Sequence, residues 1–213
     1  EPVSSVTCIA TCSSTTSTSA AENTGVFVDS AVAGVTFTTS SGLSGTTNSS
    51  GEFGYRSGDT ASFSIGDVDL GTVTASAVLT QVEVMGASGT ADPKVINLAR
   101  LLQTLDSDGD PTNGIEITSA TSNALRGKSL NFNVAVDTFT NDSTIAQIQT
   151  AVGRTLTSAT AALNHLHTTL NSRSLSSKVS PDTISFKVDH SFPSLRSQWR
   201  SHPQYRKFLQ IPK

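Results

Sequence analysis

One short acidic segment carries the residue types and spacing best suited to binding a hard cation. Asp106, Asp108 and Asp110 alternate along it, and Gly109 and Pro111 bend the chain between and after them. Such a loop can turn its carboxylate oxygens toward one point, and Ca²⁺ takes about six to eight oxygens at roughly 2.3–2.6 Å. Without a cation, carboxylates this close repel one another. The segment therefore predicts a calcium loop whose ligands are Asp106, Asp108, Asp110, Thr112 and Glu116.

The loop departs from the EF-hand pattern at two positions. Pro111 stands where that pattern has glycine, and Ile117 stands where it has the final Glu, with Glu116 one residue early. We therefore expect a calcium loop of a looser type. The alternative is a solvated acidic turn that only caps the preceding helix. Asp67 and Asp69 also alternate beside glycines, and we interpret them as an ordinary hairpin turn.

Two of the four histidines suggest a second, alternative metal chemistry. His165 and His167 lie two residues apart in a predicted helix, where such positions do not share a face. One half-buried and one exposed histidine are expected there rather than a joint site. His190 and His202 flank Trp199, the only tryptophan. Because imidazole suits copper and zinc, these two residues form the alternative, a copper site on a surface protein.

The sequence offers little support for catalysis. It contains no Gly-x-Ser-x-Gly turn, phosphate-binding loop, His-Glu-x-x-His or dinucleotide-binding glycine pattern. Serine, histidine and aspartate are all present, but a serine-rich chain offers them by chance. We therefore expect no enzymatic activity, and a hydrolase with an unrecognised site remains a second alternative.

The elements that would position these residues change character near residue 92. From 25 to 91, short β-prone runs alternate with Gly and Asp turns about every eight to twelve residues, which is typical of a β-sandwich. Asp92-Pro93 then begins a helix that ends at Asp106, with apolar residues at three- and four-residue spacing. Further helices are expected near 119–125, 143–152 and 158–170. The fold class is thus α+β: a β-sandwich module at 25–91 and a small helical subdomain at 92–172.

Several of these segments resemble a recurrent module of exported bacterial surface proteins and lipoproteins. The resemblance lies in 25–35, 50–60 and 63–71, in the helix and Asp-rich loop at 92–115, and in the helix at 161–170. It covers about residues 25–170. In that family a prealbumin-like, or carboxypeptidase-regulatory-like, β-sandwich is typical. The resemblance therefore implies such a sandwich, followed by an Asp-rich loop and helices, in an exported protein.

Composition and the two ends of the chain also favour an extracellular or cell-surface location. Charged residues make up only 15% and hydrophobic residues 36%, with no apolar run near the roughly 20 residues that span a bilayer. The arm at 1–24 is rich in Ser and Thr, and its Cys8 and Cys12 could form a small disulfide loop in an oxidising compartment.

The tail at 173–213 holds most of the basic residues, whereas the body before it is acidic. Arginine and aromatic residues dominate interface hot spots, so the tail predicts a contact with an acidic surface. Either a neighbouring copy or the tail's own body could supply that surface. Nucleic acid is not expected as a partner, because the acidic body would repel it. We expect a homo-oligomer or filament joined through the terminal arms, with these interface residues in the tail: Arg196, Trp199, Arg200, Tyr205, Arg206 and Phe208.

Overall fold

The computed structural model describes residues 20–178, and within them the chain has a mixed α+β architecture. The strands are β1 (Asn23–Val28), β2 (Val32–Ala33), β3 (Thr36–Thr39), β4 (Ser44–Thr46), β5 (Glu52–Tyr55), β6 (Thr60–Ile65), β7 (Val68–Thr74), β8 (Val78–Thr80) and β9 (Ile115–Glu116). The helices are α1 (Gln81–Val84), α2 (Pro93–Leu105), α3 (Ser119–Ala124), α4 (Val136–Thr140), α5 (Ser143–Val152) and α6 (Ala159–Lys178).

The β-rich half forms two sheets that meet through aromatic side chains. One sheet has the order β5-β1-β8 and the other β4-β3-β6-β7. The ring of Phe63 on β6 lies 5.2 Å from that of Phe27 on β1 and 5.1 Å from that of Phe53 on β5. The strand β6 shows why this happens, because Ala61, Phe63 and Ile65 alternate inward while the polar residues between them are less buried.

A short parallel ribbon ties the β-rich half to the acidic loop. Strand β2 pairs with β9, which immediately follows the loop, so Val32 lies opposite Ile115. Gly34 follows β2 with a φ of +84°, and a Cβ built on it would lie 1.9 Å from the carbonyl oxygen of Ile117. The ribbon thus depends on a glycine, and it fixes the position of the loop's C-terminal end.

The helix α2 begins as predicted, with the side chain of Asp92 accepting from the amide of Lys94 and Pro93 in the first turn. Every residue from Val95 to Leu105 is buried, including the polar ones. Two of those polar residues donate to backbone carbonyls outside the helices and strands. Asn97 donates to the carbonyls of Phe132 and Val134, and Arg100 donates to the carbonyl of Thr157. The helix α2 is therefore buried on all sides over these residues, unlike a surface helix that buries one apolar face.

Residues from the β-rich and helical halves share one hydrophobic core, which includes Phe27, Phe63, Leu98, Leu125 and Ile145. The helices predicted after Asp92, near residue 119 and at 143–152 are present. The structure differs elsewhere. Within 25–91, where only β-prone runs were expected, Gln81–Val84 forms the helix α1. The helix α4 was not predicted, and α6 extends beyond residue 170. Among the described helices, none combines the length and the apolar character that crossing a membrane requires.

Candidate functional site

The acidic loop begins where α2 ends, and backbone pairing closes its base. Asp106 is the C-cap residue of α2 and is buried. Its Oδ1 accepts from the amide of Glu116 at 2.9 Å, and the amide of Ser107 donates to the carbonyl of Glu116 at 2.9 Å. These two bonds hold the ends of the loop together. Because Glu116 belongs to β9, the β2–β9 ribbon attaches the closed base of the loop to β2.

Inside the loop, two carboxylates organise tight turns. Asp108 accepts from the amide of Asp110 and from Nδ2 of Asn113, each at 2.8 Å. Asp110 caps the 3₁₀ turn Pro111–Asn113 by accepting from the amide and the hydroxyl of Thr112, at 3.0 and 2.6 Å. These are side-chain turns of the type that aspartate favours.

The second oxygen of Asp106 is the unusual atom of the loop. Asp106 is 2% exposed, and its Oδ2 has no hydrogen-bond partner. Burial raises the pKa of this carboxyl, and the neighbouring Asp108 carboxylate raises it further. The pKa of Asp108 is lowered, first by the hydrogen bond from Asn113. A buried acceptor facing another carboxylate needs a proton or a cation between them.

The structure therefore brings together part of the predicted ligand set. Asp106 and Asp108 adjoin each other, whereas Asp110 and Thr112 bond to each other and Glu116 accepts from the hydroxyl of Ser107 at 3.0 Å. Within residues 20–178, no three His, Cys, Asp or Glu side chains are grouped closely enough to hold a metal ion. A cation here would use two carboxylates and complete its shell with neutral oxygens and water, which calcium accepts.

A polar cleft of about 730 Å³ opens beside these carboxylates. Asp106, Asp108 and Asn113 line one side of it, and Gly34 and Thr47 lie on the side of the β-rich half. A cation bound by Asp106 and Asp108 would therefore have room for water ligands.

A second polar cluster links the loop to α6 and includes residues that the sequence did not single out. The hydroxyl of Ser30 donates to the carbonyl of Pro111 at 2.8 Å, and Nε2 of His165 lies 3.1 Å from the same hydroxyl oxygen. The same Nε2 lies 2.9 Å from the carbonyl of Asp29. Ser30 has a φ of +82°, which is strained for a residue other than glycine.

The directions of the hydrogen bonds in this cluster do not activate Ser30 as a nucleophile. A carbonyl only accepts, so Nε2 of His165 must carry its proton and donate it to Asp29. The Ser30 proton is directed to Pro111 instead of toward the imidazole. A histidine protonated on the facing nitrogen cannot remove the serine proton. The cluster therefore fastens the loop and α6 to the turn after β1. As expected, His165 is half-buried and His167 exposed.

Among the described acidic residues whose pKa is shifted, Asp29 is the most deeply buried. It is 0% exposed, and Oδ2 accepts from Nε2 of Gln103 at 3.0 Å, while Oδ1 has no hydrogen-bond partner. Burial raises its pKa to about 8, against the smaller opposing effect of the Gln103 and Gln81 amides. The sequence could not reveal this, because an aspartate after an apolar run is also typical of a surface turn.

The remaining predicted site residues lie outside the described residues. These are Cys8 and Cys12 of the N-terminal arm, the alternative metal ligands His190 and His202, and the interface residues Arg196, Trp199, Arg200, Tyr205, Arg206 and Phe208. Asp67 lies in the turn between β6 and β7 and accepts from the distant amide of Gly127, whereas Asp69 lies in β7 and accepts from the amide of Gly71.

Comparisons of this chain with protein-family models, with curated proteins and with solved structures found no match.

Proposed function

We propose that this chain is an exported cell-surface or extracellular structural and binding protein whose acidic loop holds a stabilising calcium ion. The observation that carries the calcium proposal is the buried, unpartnered Oδ2 of Asp106 beside the Asp108 carboxylate. An unpaired buried acceptor costs roughly 1–3 kcal/mol. A proton or a cation shared by the two carboxyl groups would remove that cost, and we assign the place to a cation. The cleft at the same place leaves space for the water and neutral ligands of a hard cation.

Export and family membership are supported by composition and by the resemblance to exported bacterial surface modules. The finer relation, to prealbumin-like sandwiches, draws support from the two sheets that meet at Phe27, Phe53 and Phe63. Self-assembly through the terminal arms belongs to the same proposal and rests on the basic, aromatic composition of the tail.

The cellular location of the protein is tested by adding protease to intact cells, which should digest a surface protein and spare a cytoplasmic marker.

The calcium proposal is tested by thermal unfolding with excess calcium and with a chelator. A ligand that binds only the folded state stabilises it by about 2.7 kcal/mol at a hundredfold excess over its dissociation constant. We expect a lower melting temperature in chelator for the unmodified protein, and no calcium response in Asp106→Asn or Asp108→Asn. Asp69→Asn is the matched control, because it neutralises an exposed aspartate in β7 that is not part of the loop.

The behaviour of Asp106→Asn without calcium separates a cation site from a simple turn. The neutral amide can keep the bond from Glu116 while removing the repulsion from Asp108, so we expect equal or higher stability in chelator. A melting temperature that is the same with calcium and chelator would overturn the proposal. Metal analysis of protein from its natural source adds a second check, since stoichiometric copper without calcium would favour the His190 and His202 alternative.

A further inference from the structure

The side chain of Arg154 contacts the backbone of the acidic loop at two points. Nη2 of Arg154 donates to the carbonyl oxygen of Ser107 at 2.6 Å. The guanidinium also rests on Gly109, because a Cβ built there would lie 2.0 Å from Nη1 of Arg154. Gly109 has a φ of +80°, so its backbone conformation favours glycine, and the missing side chain leaves room for the guanidinium. These two contacts flank Asp108.

The segment that carries Arg154 is itself anchored. Gly153 ends α5 in the left-handed conformation, which turns the chain toward the loop. The amide of Arg154 donates to the carbonyl of Gln149, and the amide of Thr157 donates to Thr104 on α2 at 2.9 Å. Arg154 therefore reaches the loop from a rigid support on the buried helix, as a positioning residue should.

Resting on the calcium function proposed above, we propose that Arg154 is the positioning residue of the cation loop, holding Ser107 and Gly109 so that Asp106 and Asp108 adjoin before a cation arrives. Groups that orient metal ligands from outside the coordination shell typically change metal affinity by about 10- to 100-fold when removed. Arg154 also brings a positive charge, which would repel a bound cation. Its half-exposed position reduces that effect through solvent screening. We therefore expect positioning to outweigh repulsion.

The test compares Arg154→Met, Arg154→Lys and the control Arg126→Met in calcium titration calorimetry. Arg126 is exposed just after α3, outside the loop, so its variant loses the same charge at a different site. We expect Arg154→Met to bind calcium about tenfold or more weakly. Arg154→Lys should recover part of the affinity, because an ammonium can still donate to the Ser107 carbonyl, and Arg126→Met should match the unmodified protein. Tighter binding by Arg154→Met would overturn the inference, because repulsion would then dominate.

Amide hydrogen exchange in chelator separates failure of this inference from failure of the calcium proposal. The amides of Asp110 and Glu116 bond to the carboxylates of Asp108 and Asp106, so they report on the empty loop directly. We expect Arg154→Met to speed their exchange about tenfold and to leave the amides of β6 unchanged. If the unmodified protein binds no calcium but this local acceleration appears, the positioning role stands and the metal is wrong. Unchanged loop exchange, or equal acceleration throughout the chain, would overturn the positioning role.

Discussion

Nε2 of His165 donates to the backbone carbonyl of Asp29 across 2.9 Å, joining α6 to the turn after β1. The same nitrogen reaches the hydroxyl of Ser30, which in turn donates to Pro111 in the acidic loop. One imidazole thus connects three parts of the chain that are far apart in sequence. The strained φ of Ser30 is held by these contacts.

Replacing that imidazole should destabilise the fold without changing its shape. His165→Phe keeps an aromatic ring but removes both contacts, so we expect the free energy of unfolding to fall by about 1–3 kcal/mol. His167→Phe is the matched control two residues away. His167 is exposed and contacts only Thr90 among the hydrogen bonds described, so its variant should stay within about 0.5 kcal/mol. Urea unfolding measures both values, and equal effects would show that the His165 contacts add no stability.

The buried Asp29 should make the protein less stable as the pH rises. Its pKa is about 8 in the folded state, against about 3.9 in an unfolded chain. Between these values the folded state binds more protons, so its stabilisation by the neutral carboxyl is present at the acid end and is lost as the pH rises through the folded pKa. We expect Asp29→Asn, which cannot ionise, to flatten the dependence of urea unfolding on pH between about 5 and 8.

Two controls isolate the Asp29 effect. Nε2 of His165 lies 3.9 Å from Oδ1 of Asp29, so the first control removes this neighbouring imidazole. The series is therefore repeated with His165→Phe, which should retain the downward slope. Asp67→Asn removes an exposed carboxylate and should leave the slope unchanged. A slope that persists in Asp29→Asn would mean that Asp29 is ionised in the folded protein at neutral pH.

A helix of this protein can be predicted from the sequence where the residues at its two ends are enough to determine it. The start of α2 follows from Asp92 and Pro93 alone, and α5 follows from the Asp142 cap and the Gly153 end. By contrast, Gln81–Val84 has a β-prone composition, yet Thr80 and Glu83 form a capping box that makes it a helix. That pair is present in the sequence but was outweighed by the apolar run.

The candidate site was predictable only in outline. Alternating aspartates indicated a loop rich in oxygen ligands, but which carboxylates adjoin depends on β9 pairing with β2 across more than eighty residues. Arg154, which follows α5, contacts the loop directly, and His165 on α6 is connected to it through Ser30. No spacing rule links either residue to the loop. The polar residues Asn97 and Arg100 lie three apart on α2, a stripe that reads as a solvated face but binds buried backbone instead.

The tail predicts assembly that depends on charge. Its arginines and aromatic residues suit an interface with the acidic body of another copy. Deleting residues 191–213 should convert an assembly into monomers in light scattering, and added salt should weaken the intact assembly. Arg196→Gln with Arg200→Gln is the milder variant, which keeps Trp199 and should weaken assembly only in part. A full chain that stays monomeric at high concentration and low salt would contradict the prediction.

The β2–β9 ribbon should tolerate no side chain at Gly34. Gly34→Ala and Gly42→Ala form a matched pair, because both glycines have a positive φ, of +84° and +86°. Each variant meets the same backbone strain, of roughly 1–2 kcal/mol. Only Gly34 faces an obstacle, the Ile117 carbonyl 1.9 Å from the new Cβ, whereas a Cβ on Gly42 meets nothing within 4 Å. We expect Gly34→Ala to lower the free energy of unfolding by about 2 kcal/mol more than Gly42→Ala.

The same clash should be visible in amide hydrogen exchange. Because the amide of Ile117 donates to the carbonyl of Ala33, the clash should separate β9 from β2 and speed amide exchange at Ile117. Equal destabilisation by the two variants would contradict the prediction, because it would show that the ribbon accommodates a Cβ at position 34 with no further loss of stability.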